Sequence, residues 1–492
     1  MAEPRSTRWR VALAFGAVAL LVGFAAWPGL LGNWVGDDFH MVKSPLYGDW
    51  SEVFRVFSRH AGHYLDETGD ATTTWPYRPV TMLTLLVPHA LVSEPWLHHL
   101  VSWLIHVVTG GLLLYALLRE TQPERHAAAR SVSFVLASLF LLHPVTVEAY
   151  VFINGRSDLA AGLCLAALAA VLLQQCLAGP VRLILVALIA FLGAASKVTF
   201  VPAALALWLG LSLRSREPRD AFRTGLPLGA AIVAYFGLRV ANVSSVGRLG
   251  ATENVARDLS AFSDLPQLWA KSAAAVVTFR AEAMQSLAWE LFQPFSMVEW
   301  IGAGVFVAAG AALAARRDFG GLVLFAGFAL TVAPCVIVSR AFWFGFDRYL
   351  YMPMILAFLA VAPHLVAAVE AVPRRRTLWA GVAIALLLVA ALGTRTSSLA
   401  YINQTTYEAA MVDDHPDDPT VIYYMALAAK KSGQLQRARE WLSKMPKPPW
   451  PVAIEDRATA LASELQELQV RDMEAQYGLR ADHIGDGHDD PK

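Results

Sequence analysis

Eleven apolar runs, each close to the ~20 residues an α-helix needs to cross a bilayer, constrain this chain more than any other feature. They cover roughly residues 11–31, 97–118, 131–150, 158–178, 181–195, 198–213, 224–241, 298–315, 320–339, 349–369 and 377–394. A soluble fold has no room to hide so many. Of the 492 residues 56% are hydrophobic and 16% charged, and mean hydropathy is +0.45. Backbone N–H and C=O groups in hydrocarbon must be satisfied within the chain, so runs of this length are helices. The expected fold class is an all-α polytopic membrane protein of about eleven transmembrane helices with a polar helical tail. The first run follows Arg5, Arg8 and Arg10 and lacks a small-x-small cleavage site, so it reads as a retained helix with a cytoplasmic N-terminus.

Positive charge supports that orientation. Arg119, Arg125 and Arg130 follow span two, and Arg182 follows span four. Arg214, Arg216, Arg219 and Arg223 follow span six, Arg316 and Arg317 span eight, and Arg374 to Arg376 span ten. Each group lies in a loop that an N-in topology makes cytoplasmic, as the positive-inside rule requires. The opposite face then receives 32–96, the turn at 151–157, 242–297, 340–348 and everything past 395. The loop 32–96 is too long for a plain connector and should carry short interfacial helices. Residues 242–297 read as amphipathic helices lying on the surface. With a formal net charge of zero, no basic field argues for nucleic acid. The three cysteines, Cys164, Cys176 and Cys335, sit inside apolar runs without metal-ligand spacing.

Composition shifts near residue 399. The membrane domain is placed at 1–398, tetratricopeptide-like helical repeats at 399–446, and a charged helix with a polar end at 447–492. In Pro419 to Met445, small residues at the helix crossing, Gly433 at the turn and Pro446 after the second helix fit a helix-turn-helix repeat, and 401–416 fits the closing helix of a preceding unit. Two units barely bury a core, so the tail should lean on the membrane domain or on a partner protein.

Ionisable residues at the outer rim are the candidates for chemistry, because such groups are costly there. Asp37 and Asp38 follow the first span between Trp34 and Phe39; the bland reading is a solvated helix terminus. His143, Glu148, Arg156 and Asp158 border spans three and four, where the competing reading is a buried ion pair holding the turn. Arg78, His106, Lys197 and the Arg340 to Pro353 segment, with Arg348, add basic groups on the same face. Carboxylates can move protons there, while Arg and Lys can hold a phosphate and offset leaving-group charge. This pattern suits glycosyl transfer from a lipid-linked phosphosugar. No phosphate-cradling Gly loop, Ser/His/Asp motif or Cys/His cluster competes with it.

These residues carry a resemblance. Asp37-Asp38-Phe39, Tyr77-Arg78-Pro79-Val80-Thr81, His99 through His106, His143-Pro144-x-x-x-Glu148 with Gly155-Arg156-Ser157-Asp158, Ser196-Lys197 and Arg348-Tyr-Leu-Tyr-Met-Pro353 resemble the type C glycosyltransferase superfamily. Within it, the chain is similar to the transmembrane and tetratricopeptide repeat-containing O-mannosyltransferases, in a short-tailed, bacterial-like form. The resemblance implies type C architecture and an extracytoplasmic site. It also implies a polyprenyl-phosphate sugar donor, mannose in the usual case, and inverting transfer to a hydroxyl of a protein or envelope glycan. Asp37 becomes the expected base with Asp38 in support, and Glu148 and Asp158 the second acidic pair. Arg78, Arg156, Lys197 and Arg348 become donor-phosphate binders, with His106, His143 and Tyr351 supporting. Superfamily members differ in metal use, so a divalent ion held by Asp37 and Glu148 stays open. Val198 and Ser102 depart from the family's usual acidic residue and Asn. Composition points to a bacterial inner membrane with a periplasmic tail, or the ER membrane in a eukaryote. The other readings are a flippase for lipid-linked intermediates, which would carry mid-bilayer charges and inverted repeats, and a non-catalytic scaffold recruiting partners through its tail.

Overall fold

The computed structural model describes residues 5–36, 38, 46, 49–58, 77–122, 126, 128–174, 179–215, 217–243, 265–279, 296–334, 347–431, 433–446 and 452–477. It is 88% helix, with no strand among the described residues. The membrane-like part runs α1 (Arg5–Ala25), α2 (Trp27–Leu30), α3 (Trp50–Arg55), α4 (Pro79–Leu91), α5 (Pro95–Thr121), α6 (Ala129–Leu142), α7 (Pro144–Val151), α8 (Arg156–Leu172), α9 (Gly179–Ser196) and α10 (Phe200–Ser215). It continues through α11 (Pro218–Val243), α12 (Leu265–Thr278), α13 (Met297–Ala315), α14 (Phe319–Val332), α15 (Tyr351–Ala371) and α16 (Arg376–Leu399). The tail holds α17 (Gln404–Asp414), α18 (Pro419–Lys431), α19 (Leu435–Ser443) and α20 (Val452–Tyr477).

The described parts of all eleven apolar runs are largely helical. Among the described residues seven helices are long and apolar enough to cross a bilayer, and an eighth span forms if the pair α6–α7, bent by 56°, is taken as one. The remaining three runs give shorter apolar helices, Val11–Ala25, Phe200–Ser215 and Phe319–Val332. The 56° break has a local cause. Pro144 pushes His143 out of the helical region, to φ −71 and ψ 127, and then opens α7 at its first turn, where a missing N–H costs nothing. The region expected to be a loop with interfacial helices supplies α3 and also α4, a thirteen-residue apolar helix opened by Pro79.

Large apolar side chains stay outside. Leu20 and Phe24 on α1 are 72% and 73% exposed, and Ile384, Leu388 and Leu392 on α16 are exposed in the same way. Such a belt would drive aggregation in water and is at rest only against lipid. The centre is α8, whose Ala160, Ala161, Gly162, Ala166 and Ala169 let neighbouring helices approach closely. Gly162 shows why small residues are needed, because any β-carbon there would run into the Tyr351 ring. α12 buries Leu268 and Lys271 through Ala275 against α13, with Lys271 paired to Glu299 at 3.2 Å. In the tail, α18 and α19 form a hairpin turned at Gly433 (φ 76°), and α20 packs on both around Ala426, Ala438, Leu461 and Leu465. Tyr401, Tyr407 and Met411 ahead of them, with Val421 and Met425 of α18, join the apolar core of the membrane-like part.

Candidate active site

Four charged side chains from separate elements meet at one end of α8. Asp158, in its first turn, is 1% exposed and accepts from Lys197 Nζ at 2.5 Å. Lys197 sits between α9 and α10, is 3% exposed, and lies 3.9 Å over the Tyr349 ring. Arg348 belongs to the 3-10 turn Asp347–Leu350 that leads into α15. Its backbone N–H donates to Glu148 Oε2 at 3.2 Å, and its guanidinium lies 3.9 Å from Glu148 Oε1 and 3.8 Å from Asp158 Oδ2. Taking four ions out of water is expensive, and mutual attraction offsets the cost only because each carboxylate faces a cation. Arg78, the residue before Pro79 of α4, feels the charges of Asp158 and Arg348, and its Nε is buried with no hydrogen-bond partner. Three cations thus converge on Asp158. Burial pushes the Lys197 ammonium down to about 8; Asp158 opposes that shift, while Arg78 and Arg348 add to it.

The acidic loop stands beside this cluster. Asp37 lies outside the described residues. Asp38 is fully buried, and its Oδ1 accepts the Asn154 N–H at 2.9 Å. The charge nearest in kind is Arg156, which also lies fully buried and feels Asp38. Arg156 is where the geometry departs most from expectation. Its Nε donates to Ser102 Oγ at 2.9 Å, Nη1 to the Thr84 carbonyl at 2.7 Å and Nη2 to the His98 carbonyl at 2.7 Å. The guanidinium therefore ties α8 to α4 and α5 through neutral acceptors, and pairs with neither Asp158 nor Glu148. All three guanidinium nitrogens are thus engaged in holding α8 to α4 and α5.

The three supporting residues are likewise engaged in structure. His106 Nε2 faces the Leu141 carbonyl at 3.0 Å, which can only accept, so Nε2 carries the proton and Nδ1 accepts from the Tyr351 hydroxyl at 2.8 Å. The His106 ring also stacks on Tyr150 at 4.3 Å. His143 caps α7: Nδ1 accepts from Val145 N–H, leaving Nε2–H to donate to the Val276 carbonyl at 2.9 Å. Among the described residues no three His, Cys, Asp or Glu side chains are grouped to hold a metal ion. Of the pair named for a divalent ion, Glu148 faces Arg348, and Asp37 lies outside the described residues. Three site neighbours were not anticipated: Asn154 through its backbone N–H, Tyr349 under Lys197, and Tyr401 of the tail.

Helices of membrane-spanning length, lipid-facing belts and a buried ion cluster at one helix end define a multi-pass helical membrane protein with a charged site. The chain is similar in part to Protein O-mannosyl-transferase TMTC1 of Mus musculus, at 34% identity over 166 residues, which is 32% of this chain and 17% of that protein. The match therefore spans less than a fifth of that relative's length, and it supports a distant relationship to that family of O-mannosyltransferases. No protein-family model matches the chain.

Proposed function

We propose that this chain is an integral membrane glycosyltransferase of type C architecture. It moves a sugar, mannose in the simplest case, from a polyprenyl-phosphate donor to a hydroxyl of a protein or envelope glycan, with inversion. The observation that carries the reading is the convergence of Arg78, Lys197 and Arg348, with a buried Arg78 Nε that has no hydrogen-bond partner. Unsatisfied buried donors are rare and call for an acceptor, and a phosphate oxygen is apt for guanidinium groups. In the proposed step Asp37 takes the acceptor's hydroxyl proton, and that oxygen attacks the anomeric carbon from the face opposite the phosphate. The bond from that carbon to the phosphate oxygen breaks, and its electron pair leaves with the lipid phosphate. Arg78, Lys197 and Arg348 offset the charge that develops there. Glu148 and Asp158 hold those cations, and Asp38 fixes the loop that carries Asp37.

The charged rim then faces outward, periplasmic in a bacterium and lumenal in an ER membrane, with the N-terminus cytoplasmic and the tail outside. The tail is the natural surface for a protein partner. Membranes containing the protein should transfer label from radiolabelled polyprenyl-phosphate mannose, and Asp37→Asn should lower transfer by at least about 100-fold. Absence of transfer by the wild type with this and other polyprenyl-phosphate sugars would sink the reading, and equal transfer by Asp37→Asn would remove Asp37 as base.

Transfer should also fall as pH rises through about 8, where Lys197 loses the charge it needs. Lys197→Arg should abolish this alkaline limb. Parallel pH profiles of transfer for the two proteins check the prediction, and an identical limb in Lys197→Arg would assign it to another group.

A further inference from the structure

The tail was expected to lean on the membrane domain or on a partner protein, and its first residues are bonded into both arms of the site. On one arm, Asn33 N–H donates to the Ile402 carbonyl at 2.9 Å and Gly36 N–H to Gln404 Oε1 at 2.8 Å. These are the residues just ahead of Asp37 and Asp38. Gly36 has φ 53°, a left-handed conformation that favours glycine, and a β-carbon there would lie 3.2 Å from the Tyr407 ring. On the other arm, Phe152 lies 6.3 Å from both the Tyr401 and the Tyr407 ring, nearly parallel to the latter, and the Arg348 guanidinium lies over the Phe152 ring, 5.2 Å from its centre. Tyr401 is buried and feels the charges of Glu148, Asp347 and Arg348.

The local chemistry explains why this segment is rigid enough to hold a loop. Asn403 and Thr406 form a reciprocal capping box, each side chain bonded to the other's backbone N–H at 3.0 Å. Gln404 Nε2 donates to Glu408 Oε1 at 2.8 Å, one helical turn on. That bond fixes the amide so that Oε1, the acceptor, is the atom presented to Gly36.

We infer that α17 and the Tyr401 turn before it position the site, with Gln404 holding the acidic loop through Gly36 while Tyr401 and Tyr407 hold Phe152 beneath Arg348. This rests on the glycosyltransferase reading for its catalytic consequence, though not for its structural one. It assigns the start of the tail to the catalytic part of the chain.

The test uses full-length protein in detergent. Gln404→Met removes the acceptor while keeping side-chain length. Gln404→Glu together with Glu408→Gln restores both bonds with their polarity exchanged, because the new amide at 408 donates to the new carboxylate at 404, which accepts from Gly36. Amide hydrogen exchange of peptides covering 32–38 should quicken roughly tenfold in Gln404→Met, the worth of about one hydrogen bond, and return toward wild type in the swapped pair. The turnover number for polyprenyl-phosphate mannose should fall roughly tenfold in Gln404→Met with the donor KM unchanged, and recover in the swapped pair. Unchanged exchange in Gln404→Met, or a swapped pair as fast-exchanging as Gln404→Met, overturns the inference. A wild type without transfer refutes the glycosyltransferase reading instead, and the exchange result still decides whether α17 holds the loop.

Discussion

Lys197→Met is expected to destabilise the protein by about 3–5 kcal/mol and to remove measurable sugar transfer, because it leaves a carboxylate buried without its closest cation. Asp158 is 1% exposed and its Oδ1 lies 2.5 Å from Lys197 Nζ, whereas the next cation, Arg348, is 3.8 Å away. Methionine fills the volume of the lysine stem, so the loss is electrostatic rather than a cavity effect. The control is the double substitution Lys197→Met with Asp158→Leu. Replacing a buried pair by apolar residues is often close to neutral, so thermal stability should return to within about 1–2 kcal/mol of wild type. Transfer should stay absent in the double variant, since the proposed phosphate site has lost one of its three cations. Thermal unfolding and donor-transfer assays on the three proteins separate the two effects. Full transfer by the refolded double variant would show that Lys197 serves only to balance Asp158.

That pair also shows how far the amino-acid sequence could be read. Charges bordering apolar runs are conspicuous because burying them is costly, so Glu148, Asp158, Lys197 and Arg348 were legible as a group before any coordinates. Who pairs with whom was not. Arg156 and Asp158 sit two residues apart, suggesting one ion pair at the turn, but positions i and i+2 of a helix do not share a face. Arg156 accordingly turns to carbonyls of α4 and α5, and Asp158 to the lysine between α9 and α10. The eleven apolar runs were legible as helices, and among the described residues seven helices, or eight with the bent pair, reach the length and hydropathy of a bilayer span. Gln404 left no signal at all. A single amide that accepts one backbone N–H from a residue 368 positions away follows no periodicity and no motif.

Arg214→Met is expected to destabilise the protein by several kcal/mol through the opposite end of the bundle, with a rescue that identifies the cause. Pro363 lies inside α15, so the Leu359 carbonyl, four residues earlier, has no helical N–H to accept. Arg214, at the end of α10, supplies the missing donor: Nη1 reaches the Leu359 carbonyl at 2.9 Å, and Nη2 the Ala360 carbonyl at 2.7 Å. The same guanidinium pairs with Glu120 at 2.8 Å and Asp318 at 2.6 Å, joining the ends of α5 and α10 to the cap of α14. Burial pushes the Asp318 carboxyl up, but bonds from Arg214, the Gly321 N–H and His364 outweigh it and hold the group well below the usual carboxylate range. Removing Arg214 therefore orphans a buried carbonyl, at about 1–3 kcal/mol, and strips two acids of their shared cation. Pro363→Ala restores the N–H that Leu359 lacks. In the Arg214→Met background it should recover about 1 kcal/mol or more, while in the wild-type background, where Arg214 already serves the carbonyl, it should change stability less. A four-member cycle of thermal unfolding measures that coupling. If the two substitutions were simply additive, Arg214 would be acting on its acidic partners alone, and the proline in α15 would need another explanation.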